Sequence, residues 1–139
     1  MGRSGLIEYL RECEVKPFSW GDRDCFRFAN TCVELQRGHG FADDILARYS
    51  TQFGAAKWYN RITRTKGLWA DMVDLLDDRL ERVETLHPKF GMIVARDEPS
   101  MKPFKVALGL VLHGRACFLS PQGLAVLPLD NKDMYWAVT

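Results

Sequence analysis

The sequence predicts an α+β fold in which N-terminal helices pack on a C-terminal, mostly antiparallel small sheet. Three observations carry this. Apolar residues recur at helical spacing as far as Val83. Beyond His87-Pro88 the period shortens to that of strands, and Gly-, Pro- and Asn/Asp-rich pieces break the second half into short runs. Helices followed by a strand meander define α+β rather than alternating α/β, and 139 residues fit one domain over 1–139.

Taken in order, Leu6, Ile7 and Leu10 give a short apolar face on a first helix that ends before Lys16-Pro17. A second helix spans Asp24 to Gln36, with Phe28, Ala29, Cys32 and Val33 as its apolar stripe. Asp22 or Asp24 supplies its N-cap and Gly38 its C-terminal stop. A third amphipathic piece runs from Ala55 to Ile62. A fourth runs from Leu68 to Val83, with Leu68, Met72, Leu75, Leu76, Leu80 and Val83 inside. Its acids (Asp71, Asp74, Asp77, Asp78, Glu81, Glu84) form a solvated face or a docking surface for a basic partner. Strands are expected over 92–95, 106–112, 116–119, 124–129 and 135–138, with an exposed polar loop from Asp97 to Pro103.

Composition narrows the function classes. Hydrophobic residues at 47% and charged residues at 27% exclude a disordered chain. The net charge of +1 lacks the basic excess of a nucleic-acid or membrane-surface binder. No segment reaches the roughly 20 apolar residues of a membrane span, and residues 5–10 are too short and too interrupted by Glu8 for a signal peptide. The expectation is a protein made in a reducing cytoplasm, with no membrane insertion. Cysteines 13, 25, 32 and 117 are then free thiols. Cys25 and Cys32 in particular lie ~10.5 Å apart along one helix, beyond bridging distance. Neither C-x-x-C nor a histidine pair is present, so no metal and no cofactor are expected. Trp20, Trp58, Trp69 and Trp136 read as packing groups, and Arg3, Arg11, Arg23 and Arg27 as solvated arginines or a basic edge near residue 25.

One stretch carries chemistry. In Pro17-Phe18-Ser19-Trp20-Gly21-Asp22-Arg23-Asp24-Cys25-Phe26-Arg27-Phe28-Ala29 a turn delivers a cysteine to the first turn of an apolar-faced helix. Free N–H groups and the helix dipole there favour a thiolate and can hold an oxyanion. Asp22 and Asp24 oppose that effect, so activation of Cys25 is expected to be modest, with Cys25 more reactive than Cys32. A buried structural cysteine is the commoner use of such a position.

Aromatic-x-Trp-Gly-x-x-Asp-Cys followed by Phe-Ala resembles the nucleophile motif of the NlpC-type cell-wall cysteine peptidases, a papain-like superfamily. It is most similar to a compact branch encoded among bacteriophage tail genes. Residues 107–114 resemble the central strand of that family, and residues 123–129 and 135–138 its closing strands in the phage branch. The resemblance implies Cys25 as nucleophile and a helix that packs Phe28, Ala29, Cys32 and Val33 against the strand holding Ala107 to Leu112.

It also exposes departures. Ala107 stands where the family's histidine opens the central strand, Ser120 is the single polar group for the third catalytic position, Phe18 replaces a tyrosine, and Gly91-Met92 replaces Gly-Asp. A thiol without a base loses proton transfer, a factor of about 10²–10⁴. His113 is the remaining base candidate; by alternation it shares a side with Ala107 but stands ~20 Å along the strand from it. His39 and His87 read as loop residues. Three readings follow. The leading one is a non-catalytic phage tail-tip component, cytoplasmic before assembly, whose partners are other tail-tip and hub proteins. The second is an active peptidoglycan peptidase or amidase using Cys25. The third is a cytoplasmic small-ligand binding module.

Overall fold

The computed structural model of the protein describes residues 3–16, 18–20, 23–46 and 49–139. Its elements are α1 (Arg3–Val15), α2 (Cys25–Arg37), α3 (Gln52–Asn60), a π-helical turn (Arg61–Thr65), α4 (Met72–Arg79), β1 (Glu81–Val83), β2 (Ile93–Asp97), β3 (Val106–Val111), β4 (Arg115–Ser120), β5 (Gly123–Pro128) and β6 (Met134–Ala137). The strands form one sheet in the order β1-β6-β2-β3-β4-β5, antiparallel throughout. Helices first and antiparallel sheet second is the α+β arrangement the periodicity implied. Among the described residues no helix is long and apolar enough to cross a membrane.

α2 is the helix that organises the core. The Asp24 carboxylate accepts the Arg27 N–H at 2.9 Å, capping its start. Gly38 at φ 95° ends it, donating to the Glu34 carbonyl at 2.7 Å, a left-handed geometry that glycine adopts without Cβ strain. Asp22, the other candidate cap, and Pro17 and Gly21 of the same motif lie outside the described residues. Phe26, Phe28, Ala29, Cys32 and Val33 are buried, and the helix packs against β3 as expected. Each large apolar side chain so placed contributes roughly 1.5–3 kcal/mol. Asn30 is buried too, but satisfied: it donates to Asp43 and accepts from the Ala42 N–H, both at 2.8 Å, which pins the loop leaving the helix.

Strand alternation gives the sheet two different faces. Ile93, Ala95, Val106, Leu108, Leu110, Cys117, Leu119 and Trp136 join the helices in the main core. Val94, Val111, Ala116, Phe118 and Tyr135 form a smaller cluster on the reverse, with Ala107 packed against it. The Arg96 guanidinium lies 5.1 Å over the Phe118 ring and holds Asp133 with two bonds of 2.9 and 2.7 Å, roofing that cluster.

Several expectations are corrected. Ile7 is exposed, and the α1 stripe is Leu6, Leu10 and Cys13, the spacing that 3.6 residues per turn keeps on one side. α3 begins earlier, capped by Thr51, and continues through the π turn, which keeps Ile62 buried. The fourth helix is shorter at both ends. It starts at Met72 behind the Asp71 cap, leaves Leu68 exposed, and stops at Arg79. Leu80 turns extended, and residues 81–83 pair with β6 through Glu81↔Ala137, Arg82↔Trp136 and Val83↔Tyr135. The sheet edge thus supplies the backbone partners that further helix would have supplied.

The acidic run is exposed at all six positions, as a solvated face would be, and three of its acids also tie the fold together. Asp71 caps α4, Asp77 accepts from the Trp136 indole, and Asp78 accepts from the Trp69 indole at 3.1 Å. Trp58 and Trp136 are buried and Trp20 and Trp69 half-buried, all in packing roles. Of the arginines, Arg11 is exposed and the side chain of Arg3 lies outside the described residues. Arg23 and Arg27 are not solvated. Arg23 bonds Glu12 at 2.6 Å and reaches the Cys13 sulfur at 3.7 Å, while Arg27 lies 5.0 Å over the Tyr49 ring.

Candidate functional site

Cys25 does open α2, directly after its Asp24 cap, but its side chain is sealed at 2% exposure. Burial is the largest influence on the thiol and pushes it up to about 12. Hydrogen bonding from the Leu108 backbone pulls the other way, Asp24 raises it again, and the N–H groups of Cys25 and Phe26 lower it slightly. Desolvation therefore wins over the helix N-terminus, and at pH 7 the thiol keeps its proton. The modest activation expected from helix position is overturned here. The helix-start N–H groups that an oxyanion would need instead face the protein's own sulfur.

Asp24 is fully buried beside Cys25, with Arg27 Nε at 3.8 Å from its carboxylate. Burial, then the neighbouring Asp24 charge, raises the Tyr49 phenol. This Asp24–Arg27–Tyr49 group fixes the helix start.

The remaining candidate residues are scattered. Cys25 meets β3 at Leu108, on the helix face, while Ala107 packs into the reverse cluster. A histidine at 107 in this backbone would point away from the thiol. His113 is exposed beyond the end of β3, its ring stacked on Phe90 at 5.2 Å. Five residues of strand separate it from Leu108, about 17 Å. Ser120 closes the β4–β5 turn: its hydroxyl donates to the Gly123 carbonyl at 3.0 Å and accepts the Gln122 N–H. Phe18 donates its backbone N–H to the Ser120 carbonyl at 3.0 Å and sets its ring edge-on to Trp20. Gly91 takes φ 96° and its carbonyl accepts from Gln36 at 2.8 Å, so that position joins α2 to β2. His39 and His87 are exposed loop residues. The four cysteines are free and buried; burial raises Cys117 to about 12, and Cys32 well above its ordinary value. Among the described residues no three His, Cys, Asp or Glu groups are placed to hold a metal ion.

A different feature is concave and open. A groove of about 900 Å³ lies where β2 ends and β3 begins, between the α3–π-turn segment and the start of α4. Phe104 and Tyr59 form an aromatic floor, their ring centres 5.6 Å apart, and Phe104 also touches Phe26, Trp58 and Trp20. The Tyr59 oxygen accepts the Met72 N–H at 3.1 Å, tying the floor to α4. On the rim, Lys105 takes φ 62°, held by bonds from its N–H to Met101 and from Glu98 to its carbonyl. A non-glycine residue there is strained by about 1–2 kcal/mol. The sequence carried one signal for this groove that motif reading passes over: between Asp44 and Asp71 no acidic residue occurs, while five basic ones do.

A four-helix, six-stranded antiparallel α+β domain with a capped but sealed cysteine and a cation-rimmed groove is the class of protein these features define. The chain belongs to the family described as Domain of unknown function (DUF6950), which matches residues 3–138. No curated protein and no solved structure matches it.

Proposed function

We propose that this chain is a non-catalytic domain of the papain-like, NlpC type that serves as a structural component of a bacteriophage tail tip, held by other tail-tip and hub proteins. The observation that carries the non-catalytic half is the state of Cys25. Its sulfur is buried, its thiol is raised to about 12, and its β3 neighbour is the Leu108 backbone rather than an imidazole. A nucleophile so placed lacks the thiolate, the base and the access that acyl transfer requires. The tail-tip half rests on the likeness of residues 17–29, 107–114, 123–129 and 135–138 to the phage branch.

The test pairs two measurements. Purified protein is incubated with isolated peptidoglycan and the soluble products are separated; no release above buffer is expected. In a phage carrying the gene, Cys25→Ala should leave particle yield unchanged, whereas deletion of the chain should stop tail completion. Peptidoglycan release that disappears in Cys25→Ala would sink the reading.

A further inference from the structure

We infer that the groove between α3, the π turn and the β2–β3 loop binds an acidic segment of another protein, with one large apolar side chain seated on Tyr59 and Phe104. Four observations converge. Its volume, about 900 Å³, lies within the range that holds several side chains or a drug-sized ligand. Phe53 stands on its rim at 74% exposure, an aromatic side chain the core does not use, with Lys57 5.6 Å over its ring. Arg64, Lys102 and Lys105 line it, and none forms an ion pair with a described acidic group, so all three can meet a ligand. Finally, the unusual backbone gathers here: the only π-helical segment among the described residues, and the left-handed Lys105.

Charge complementarity selects the occupant. The lining sets three cations, Arg64, Lys102 and Lys105, against two carboxylates, over an aromatic floor, which suits a segment bearing carboxylates around an apolar anchor. Asp71 and Asp97 also line the groove. They would repel a continuous phosphate backbone but can pair with a single basic residue of a mixed peptide, so the chemistry favours protein over nucleic acid. The inference goes beyond the virion reading and stands without it.

The test uses the full chain, isotopically labelled, titrated with a short fluorescent peptide in which glutamates flank a central phenylalanine. Amide shifts are expected at Thr63, Arg64, Lys105 and Val106, with affinity falling as salt is raised. Arg64→Glu with Lys105→Glu should weaken binding by about 10-fold or more, and Phe53→Ala, on an exposed side chain, should weaken it without moving the melting temperature. The same peptide with lysines in place of glutamates should bind about 10-fold more weakly or worse. The proposal is overturned if the acidic peptide moves no groove amide, if the shifts fall elsewhere, if neither variant changes the affinity, or if an oligothymidylate binds the groove more tightly than the peptide.

Discussion

The Asp77 carboxylate accepts the Trp136 indole N–H at 2.8 Å, joining the last turn of α4 to a strand 59 positions later. Trp136 is fully buried, so this is the bond by which its polar edge is satisfied. Asp77→Leu should leave a buried donor unpaired and cost about 1–3 kcal/mol. Asp77→Asn, which keeps an acceptor oxygen, should cost less than half of that. Urea unfolding followed by tryptophan fluorescence separates the two, and equal losses would show that the bond contributes little.

Alkali should destabilise the fold through its thiols. Cys25 and Cys117 rise from near 9 to about 12 on folding, and Cys32 rises as well, each chiefly by burial. Between those values the folded protein keeps protons that the unfolded chain releases. Stability is therefore full below about pH 9 and falls as pH climbs toward 12, by at most about 1.4 kcal/mol per pH unit for each thiol. Cys25→Ala should flatten the loss between pH 9 and 11. Iodoacetamide at pH 8 should label none of the four cysteines in the native protein and all four in denaturant, read by intact mass. Rapid native labelling of Cys25 would contradict its burial.

Gly109 and Gly114 should behave oppositely. Gly109 faces Phe118 across the β3–β4 pair, and an added Cβ would run into the Cys117 carbonyl and lie 2.6 Å from the Phe118 ring. Gly109→Ala should destabilise by about 1–3 kcal/mol or more, since backbone cannot yield as a side-chain end can. Gly114 sits at φ 73° with open space around it, so Gly114→Asn, the best non-glycine residue there, should cost well under that. Thermal melts of the two variants decide the matter, and a harmless Gly109→Ala would mean the two strands can separate locally.

α2 was fully legible because its signals agree: an apolar stripe at helical spacing, Asp24 at one end and Gly38 at the other. The strands after Pro88 are legible to within a residue or two, because Gly, Pro and Asn/Asp breaks bound each short β-type run. The end of α4 was not. Leu80 and Val83 continue a helical period, and only the presence of β6 turns Glu81–Val83 into an edge strand. Such a short strand cannot display a period of its own. At the candidate site, the position of Cys25 at a helix start could be read, but its burial depends on Leu108, more than 80 residues away in sequence. The face of Ala107 follows from its register with Arg96, which one strand alone does not disclose. The groove joins α3 and the π turn to the β2–β3 loop, so its charge gap was visible while its shape was not.

The strand order has a consequence for synthesis. β6, the last of the six strands in chain order, lies between β1 and β2, and it alone connects β1 to the rest of the sheet. A nascent chain released as far as Asp130 can pair β2 through β5 as successive hairpins, yet β1 and the exposed side of β2 have nothing to bond. The indole that Asp77 holds has not emerged either. Closure of the sheet, and with it cooperative stability, must therefore wait until Tyr135 and Trp136 are free to insert.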